Sequence, residues 1–205
     1  MYHGERFNSI SHLVGAALAL AGLVVLVVFA SLQSDVWKIV SFSIYGASLF
    51  LLYTLSTLYH SLRGRAKDIF RKLDHIAIYL LIAGSYTPLT LITLRGVWGW
   101  TLFGITWALA IVGIIVDGLH KEGSRAIQMV IYLLMGWLIL VAMYPLIQAL
   151  PNGALMLLVL GGAFYTSGMI FYAIDERMKH AHGIWHLFVL AGSISHYLVM
   201  LHYVL

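Results

Sequence analysis

Seven stretches of about twenty apolar residues, each separated from the next by a short charged or turn-forming segment, decide what this chain can become. A helix needs roughly 20 mostly apolar residues to cross about 30 Å of hydrocarbon. The stretches lie at 10–31, 38–62, 70–94, 97–116, 126–148, 153–174 and 183–205. The short connections predict an all-α integral membrane protein, a seven-transmembrane-helix bundle forming one domain over residues 1–205. Only 10% of residues are charged against 61% hydrophobic, whereas soluble domains carry about 25% charged residues. So few charges also exclude a disordered chain, a coiled coil and a nucleic-acid module. The first stretch has an apolar core from Leu13 to Ala30, longer than the roughly 7–15 residues of a signal-peptide core, so it is expected to be retained.

The sequence pI near 9.3 bears on orientation, because positively charged loops stay in the cytoplasm. In a seven-span chain the N-terminus and the second, fourth and sixth loops share one side. They hold Arg6; Arg63, Arg65, Lys67, Arg71 and Lys72; Lys121 and Arg125; and Arg177 and Lys179, against Lys38 and Arg95 opposite. The N-terminus is therefore expected in the cytoplasm and the C-terminus outside. Trp98, Trp100, Tyr144 and Tyr203 fall near span ends, where amphipathic rings suit the interface and packing also suffices.

Ionisable groups inside lipid are expensive, so each is a functional hypothesis. Spans four, five and six have none in their apolar stretches. The exceptions gather at one membrane depth: His12 entering span one, His60 leaving span two, Asp74 and His75 entering span three, His182 and His186 entering span seven. Without cysteine, histidines and carboxylates are the candidate metal ligands. His182 and His186 form an i, i+4 pair on one helix face, a spacing that suits zinc and also suits simple packing. Adding His60 gives three imidazoles and an open fourth position, the ligand set of a catalytic zinc. Such an ion lowers the pKa of its bound water to about 7. The residues between His182 and His186 are Gly183, Ile184 and Trp185, so a base must come from another helix. Asp74 is assigned to hold and deprotonate the water, and Ser56, one turn from His60, to donate a hydrogen bond to the water or the developing oxyanion. Two plainer alternatives stay open: an ion pair of Asp74 with Arg71 or Lys72, and a Ser56 hydroxyl bonding its own helix.

The motifs E-R-F-N-S-I-S-H (Glu5, Asn8, His12), S-T-L-Y-H (Ser56, His60), the run from Asp74 through Pro88, and H-G-I-W-H-L-F-V-L-A-G-S-I-S-H (His182, His186, His196) together resemble the hemolysin III family, the bacterial branch of the progestin and adipoQ receptor (PAQR) superfamily. The resemblance spans nearly the whole chain. It implies a multi-pass protein of the bacterial inner membrane, with a Zn2+ ion held by His60, His182 and His186 near the cytoplasmic face and Asp74 reaching it directly or through water. It also implies kinship with membrane-embedded ceramidases and related metal hydrolases. Nothing in the sequence looks pore-forming, since neither an amphipathic barrel pattern nor a polar channel face is present.

Some residues allow two readings. Glu5, Asn8 and His12 share one helix face and either cap the site and support its ligands or lie in a surface helix. His75 is about 100° around the helix from Asp74 and His196 nearly three turns from His186; packing is expected of the first and an interhelical hydrogen bond of the second. His3, His120, His180 and His202 are expected in loops or at the outer interface. Pro88 should bend span three, with nearby hydroxyls satisfying the freed carbonyl, and Gly15-x-x-x-Ala19 marks a close helix contact.

The leading functional reading is a zinc-dependent hydrolase of lipid amides or esters, ceramidase-like, that adjusts membrane composition, with membrane lipids as substrate or ligand. The alternative is a receptor or sensor of membrane state in which the zinc is structural. A proton-coupled transporter ranks third, for few ionisable groups lie near the midplane. A retinal protein is excluded, because span seven has no lysine for a Schiff base.

Overall fold

The structure, a computed structural model, describes residues 4–119 and 125–205, so His3, His120 and Lys121 lie outside the described residues. Among these there is no strand. The helices are α1 (Arg6–Leu32), α2 (Val36–Ser61), α3 (Gly64–Pro88), α4 (Val97–Leu119), α5 (Arg125–Trp137), α6 (Met143–Ala149), α7 (Asn152–Ala173) and α8 (Ala181–Val199). Short π-helical turns, Leu89–Thr93 and Met200–Val204, extend α3 and α8, and a 3-10 segment, Leu138–Ala142, joins α5 to α6. Seven helical stretches are thereby long and apolar enough to cross a membrane. Their ends agree with the hydropathy reading to within a few residues, except at two places. The third begins at Gly64 because a charged turn from Arg65 to Lys72 continues the helix, and the fourth runs to Leu119 and so contains Asp117.

Small residues set how closely the helices approach. On α1 the buried positions Gly15, Ala19, Gly22, Leu26 and Ala30 form one stripe, while Leu18, Val24, Val28 and Phe29 of the same helix stay exposed, as a lipid-facing surface requires. A β-carbon on Gly15 would stand 2.8 Å from the Tyr53 ring, and one on Gly46 of α2 would stand 2.8 Å from Cβ and 3.0 Å from Cα of Leu23. The stripe predicted from Gly15 and Ala19 is thus the α1–α2 contact. The Asp35 carboxylate accepts the backbone N–H groups of Trp37 and Lys38 at 2.9 and 3.2 Å, satisfying two of the donors that open α2.

Proline accounts for two of the three irregular segments. Pro88 lacks the N–H that would continue α3, and a π turn follows it. The nearby hydroxyls bond neighbouring carbonyls, Ser85 that of Ile82, Thr87 that of Ala83 and Thr90 that of Tyr86; none of these is the carbonyl four residues before the proline, the expected recipient. Pro145 likewise removes the donor for the carbonyl at Val141, so the fifth stretch tightens into its 3-10 segment. There the Tyr86 phenol of α3 donates to the Gly136 carbonyl at 2.9 Å and accepts the Ile139 N–H at 2.8 Å.

Candidate metal centre

The α1, α3 and α8 helices begin, and α2 ends, at the same end of the bundle, which brings His60, His182 and His186 together. One nitrogen from each lies within 4.8 Å of the others. His60 and His186 are buried at 1% and 0% exposure, and His182 is partly exposed. Ring centroids are separated by 5.0 Å for His60–His182, 4.9 Å for His60–His186 and 4.8 Å for His182–His186.

Every ring is held from behind at its outer nitrogen. His60 Nδ1 donates to Glu5 Oε2 at 2.7 Å. The other Glu5 oxygen meets Lys67 Nζ at 2.7 Å, and the Asn8 amide donates to Glu5 Oε2 at 3.0 Å. His182 Nδ1 donates to Asp175 Oδ2 at 2.6 Å, and Asp175 is also paired with Arg125. His186 Nδ1 lies 3.3 Å from the Asn8 carbonyl and 3.4 Å from the Ser11 hydroxyl. Hydrogen bonds from His60, Lys67 and Asn8 hold the Glu5 carboxyl well below its ordinary range, against the upward push of burial. Burial also pushes the Asp175 carboxyl up, but its bonds to His182 and Arg125 win and lower it.

These outer bonds fix the inner chemistry. An imidazole that gives its Nδ1 proton to a carboxylate presents a lone pair at Nε2. The Nε2 atoms of His60 and His182 nevertheless face each other at 3.3 Å, and Nε2 of His186 is buried without a hydrogen-bond partner. Lone pairs that face each other in this way repel unless a cation or a shared proton stands between them. The donor set, all imidazole and each backed by an acceptor, fits zinc or another divalent transition ion.

Ser56 lies one turn before His60 on α2, and Asp74 of α3 shares a cavity wall with His12, whose ring stacks on that of His186. Asp74 is 4% exposed and forms no ion pair with Arg71 or Lys72 among the described residues. Its carboxylate falls outside the three-histidine grouping. The Ser56 hydroxyl lies close to the Asp74 carboxyl and has no hydrogen-bond partner among the described residues, so it does not bond its own helix. Asp74 also lines a cavity of about 130 Å3 walled mainly by α3, α5, α7 and α8, with His12 of α1 and Leu52 of α2 at its side.

The family follows from the whole chain. The sequence model of the family described as haemolysin-III related matches residues 1–197. The chain belongs to the haemolysin III family. It is 46% identical over 202 residues to Hemolysin-3 of Bacillus cereus, covering 98% of this chain and 92% of that protein. Against the Hemolysin-3 homolog of Bacillus subtilis (strain 168) the identity is 43% over 200 residues, 97% and 93% of the two chains. The human monocyte to macrophage differentiation factor, a distant relative in the progestin and adipoQ receptor family, is 29% identical over 173 residues, 81% of this chain and 71% of that one. This family membership and the seven apolar spans make the chain a multi-pass membrane protein, consistent with a bacterial inner membrane.

Of the paired readings, the structure favours the supporting one for Glu5 and Asn8, which contact His60 and His186. His196 donates to the Leu158 carbonyl at 3.2 Å, the expected link between helices, here α7 and α8. The His75 carbonyl accepts the Tyr132 hydroxyl at 3.0 Å. Asp175 is the residue that sequence reasoning missed. It lies in the turn before α8, where acidic side chains are ordinarily solvated, and its one signal is its position seven residues before His182.

Proposed function

We propose that this protein is a zinc-dependent hydrolase of lipid amides or esters that acts within the membrane and adjusts its lipid composition. The observation that carries the reading is the convergence of three imidazoles, His60 and His182 through facing Nε2 atoms and each ring backed by an acceptor, together with a buried carboxyl on the wall of an apolar cavity that His12, stacked on His186, also lines. Zinc, when bound by His60, His182 and His186, supplies a Lewis acid and an activated water at a position left open by the protein. Glu5 and Asp175 keep the His60 and His182 rings turned inward. Asp74 would hold the attacking water, take its proton on a carboxylate oxygen as the water oxygen adds to the acyl carbon, and return that proton to the amine or alkoxide as its bond to the acyl carbon breaks. Ser56 donates to the water or to the oxygen on which charge develops. The cavity of about 130 Å3 takes the linkage and the first few methylenes of the acyl chain, the rest lying toward lipid past the exposed Gly136 and Trp137. We take the charge-rich end of the bundle as cytoplasmic.

Two measurements on detergent-purified protein test this. Metal analysis should find about one zinc per chain, lost in His186→Ala. Asp74→Asn should keep most of the metal and lose at least a hundredfold in turnover of an acyl amide or ester. A protein that holds zinc, shows no turnover, and loses only thermal stability in His186→Ala would instead be a receptor or sensor with a structural metal.

A further inference from the structure

His12 is not used by the hydrolytic scheme. It is 2% exposed, yet among the described residues neither ring nitrogen has a hydrogen-bond partner, although the His186 backbone lies close by. Its ring stacks on that of His186 at 3.6 Å and 14°, and the edge of Tyr53 meets it at 5.0 Å, so it cannot swing away to find a partner. A neutral imidazole always carries one N–H and one lone pair. Leaving both unmet in a membrane interior is costly.

His12 also lines the apolar cavity, beside Asp74. The other polar side chains of that wall are largely engaged. Tyr86 donates to the Gly136 carbonyl and Tyr132 to the His75 carbonyl. The Tyr165 hydroxyl is bonded to Ser193 at 2.9 Å, and His196 donates to Leu158. The cavity is therefore polarised: hydrocarbon and satisfied hydroxyls along its length, and an unmet imidazole at the end nearest the three histidines.

We propose that His12 is the carbonyl-recognition residue of this cavity, donating its ring N–H to the acyl oxygen of a single-chain lipid amide or ester whose tail lies along the apolar wall. This deepens the hydrolase reading and rests on its premise that the cavity accepts an acyl lipid. His12 acts as a positioning residue: it fixes which end of the chain faces Asp74 and how deep the linkage sits. An ordered water makes two to four hydrogen bonds, and away from Asp74 the cavity wall offers mainly Leu52, Ile78, Leu81, Ile82 and Val189. An amide or ester oxygen brings its own apolar chain to fill the remaining space.

The test uses full-length, zinc-loaded protein in detergent with two probes of one chain length, hexadecanamide and hexadecane, and apparent affinities from ligand-induced shifts in Tm. The wild type should prefer the amide. His12→Phe keeps a stacked ring and should weaken hexadecanamide binding about three- to tenfold, the range of one hydrogen bond, with zinc content and hexadecane affinity unchanged. His12→Gln, which restores a donor, should recover part of the loss. If the Phe variant does not fold, His12→Leu makes the same comparison. An unchanged amide preference without the imidazole overturns the proposal, as does an equal loss for both probes or no amide preference in the wild type. His12-dependent binding without turnover would remove the hydrolase reading alone; zinc-dependent turnover with an unaltered KM in His12→Phe would remove this one alone.

Discussion

Replacing Glu5 separates a metal site with support from three histidines that merely happen to meet. The Glu5 carboxylate accepts from His60 Nδ1 at 2.7 Å and is itself held by Lys67 at 2.7 Å and Asn8 at 3.0 Å. A hydrogen bond to a charged group contributes about 1.5–3 kcal/mol net. With its side chain 21% exposed, the lower end applies, and about 1.4 kcal/mol is a tenfold change in affinity. Glu5→Gln keeps an acceptor and should weaken zinc binding about tenfold. Glu5→Ala, which frees the ring to rotate, should approach a hundredfold, the upper range for partners that support metal ligands. Lys67→Ala leaves the Glu5–His60 bond in place and should cost less than about threefold. The assay is zinc competition against a chelator in detergent, repeated from pH 6 to 9. The folded-state carboxyl is lowered, so its contribution is complete above its unfolded value of about 4.3 and is lost only as pH falls further. The ratio of wild-type to Glu5→Ala affinity should therefore stay constant across that window. Equal affinities, within twofold, would refute the idea that the N-terminal segment belongs to the site.

Asp175→Asn should weaken zinc binding about tenfold through His182 and, by removing the charge that faces Arg125, should also lower stability by about 1 kcal/mol. Stripping zinc should lower Tm, and at a free zinc concentration one hundred times Kd the difference corresponds to about 2.7 kcal/mol by linkage, which thermal denaturation with and without chelator measures. Because the ligands must be deprotonated, zinc affinity should fall as pH is lowered. Gly46→Ala should destabilise the fold by about 1–3 kcal/mol, since its new β-carbon would press on the Leu23 backbone at 3.0 Å; an unchanged Tm would mean the α1–α2 contact yields more easily than described.

Hydropathy alone carries the seven spans because the bilayer leaves few alternatives to a helix. The three histidines that come together were readable for a related reason. An ionisable side chain in an apolar run is rare enough to stand out, and His60, His182 and His186 did. The carboxylates that hold those rings stand outside the apolar runs. Glu5 showed only as a helix-face neighbour of Asn8 and His12, and Asp175 not at all, because in a loop a carboxylate is the ordinary residue and only the fold turns it toward His182. The burial of His12 against His186 was equally hidden, since stacking between the first and last helices depends on how the bundle closes. Asp117 escaped through a boundary: hydropathy ends the fourth span where charge begins, while the hydrogen-bonded helix continues to Leu119.

The break in the fifth span is solvated by a neighbour rather than by itself. One phenol, Tyr86 of α3, serves the Gly136 carbonyl and the Ile139 amide where the helical ladder is interrupted. In hydrocarbon each of these groups, left bare, would cost several kcal/mol. The segment from Arg125 to Ala149 is therefore not an autonomous membrane helix: these two groups are satisfied only once α3 lies alongside, and any motion that opened the wall between them would have to carry the two together or unseat that single hydroxyl.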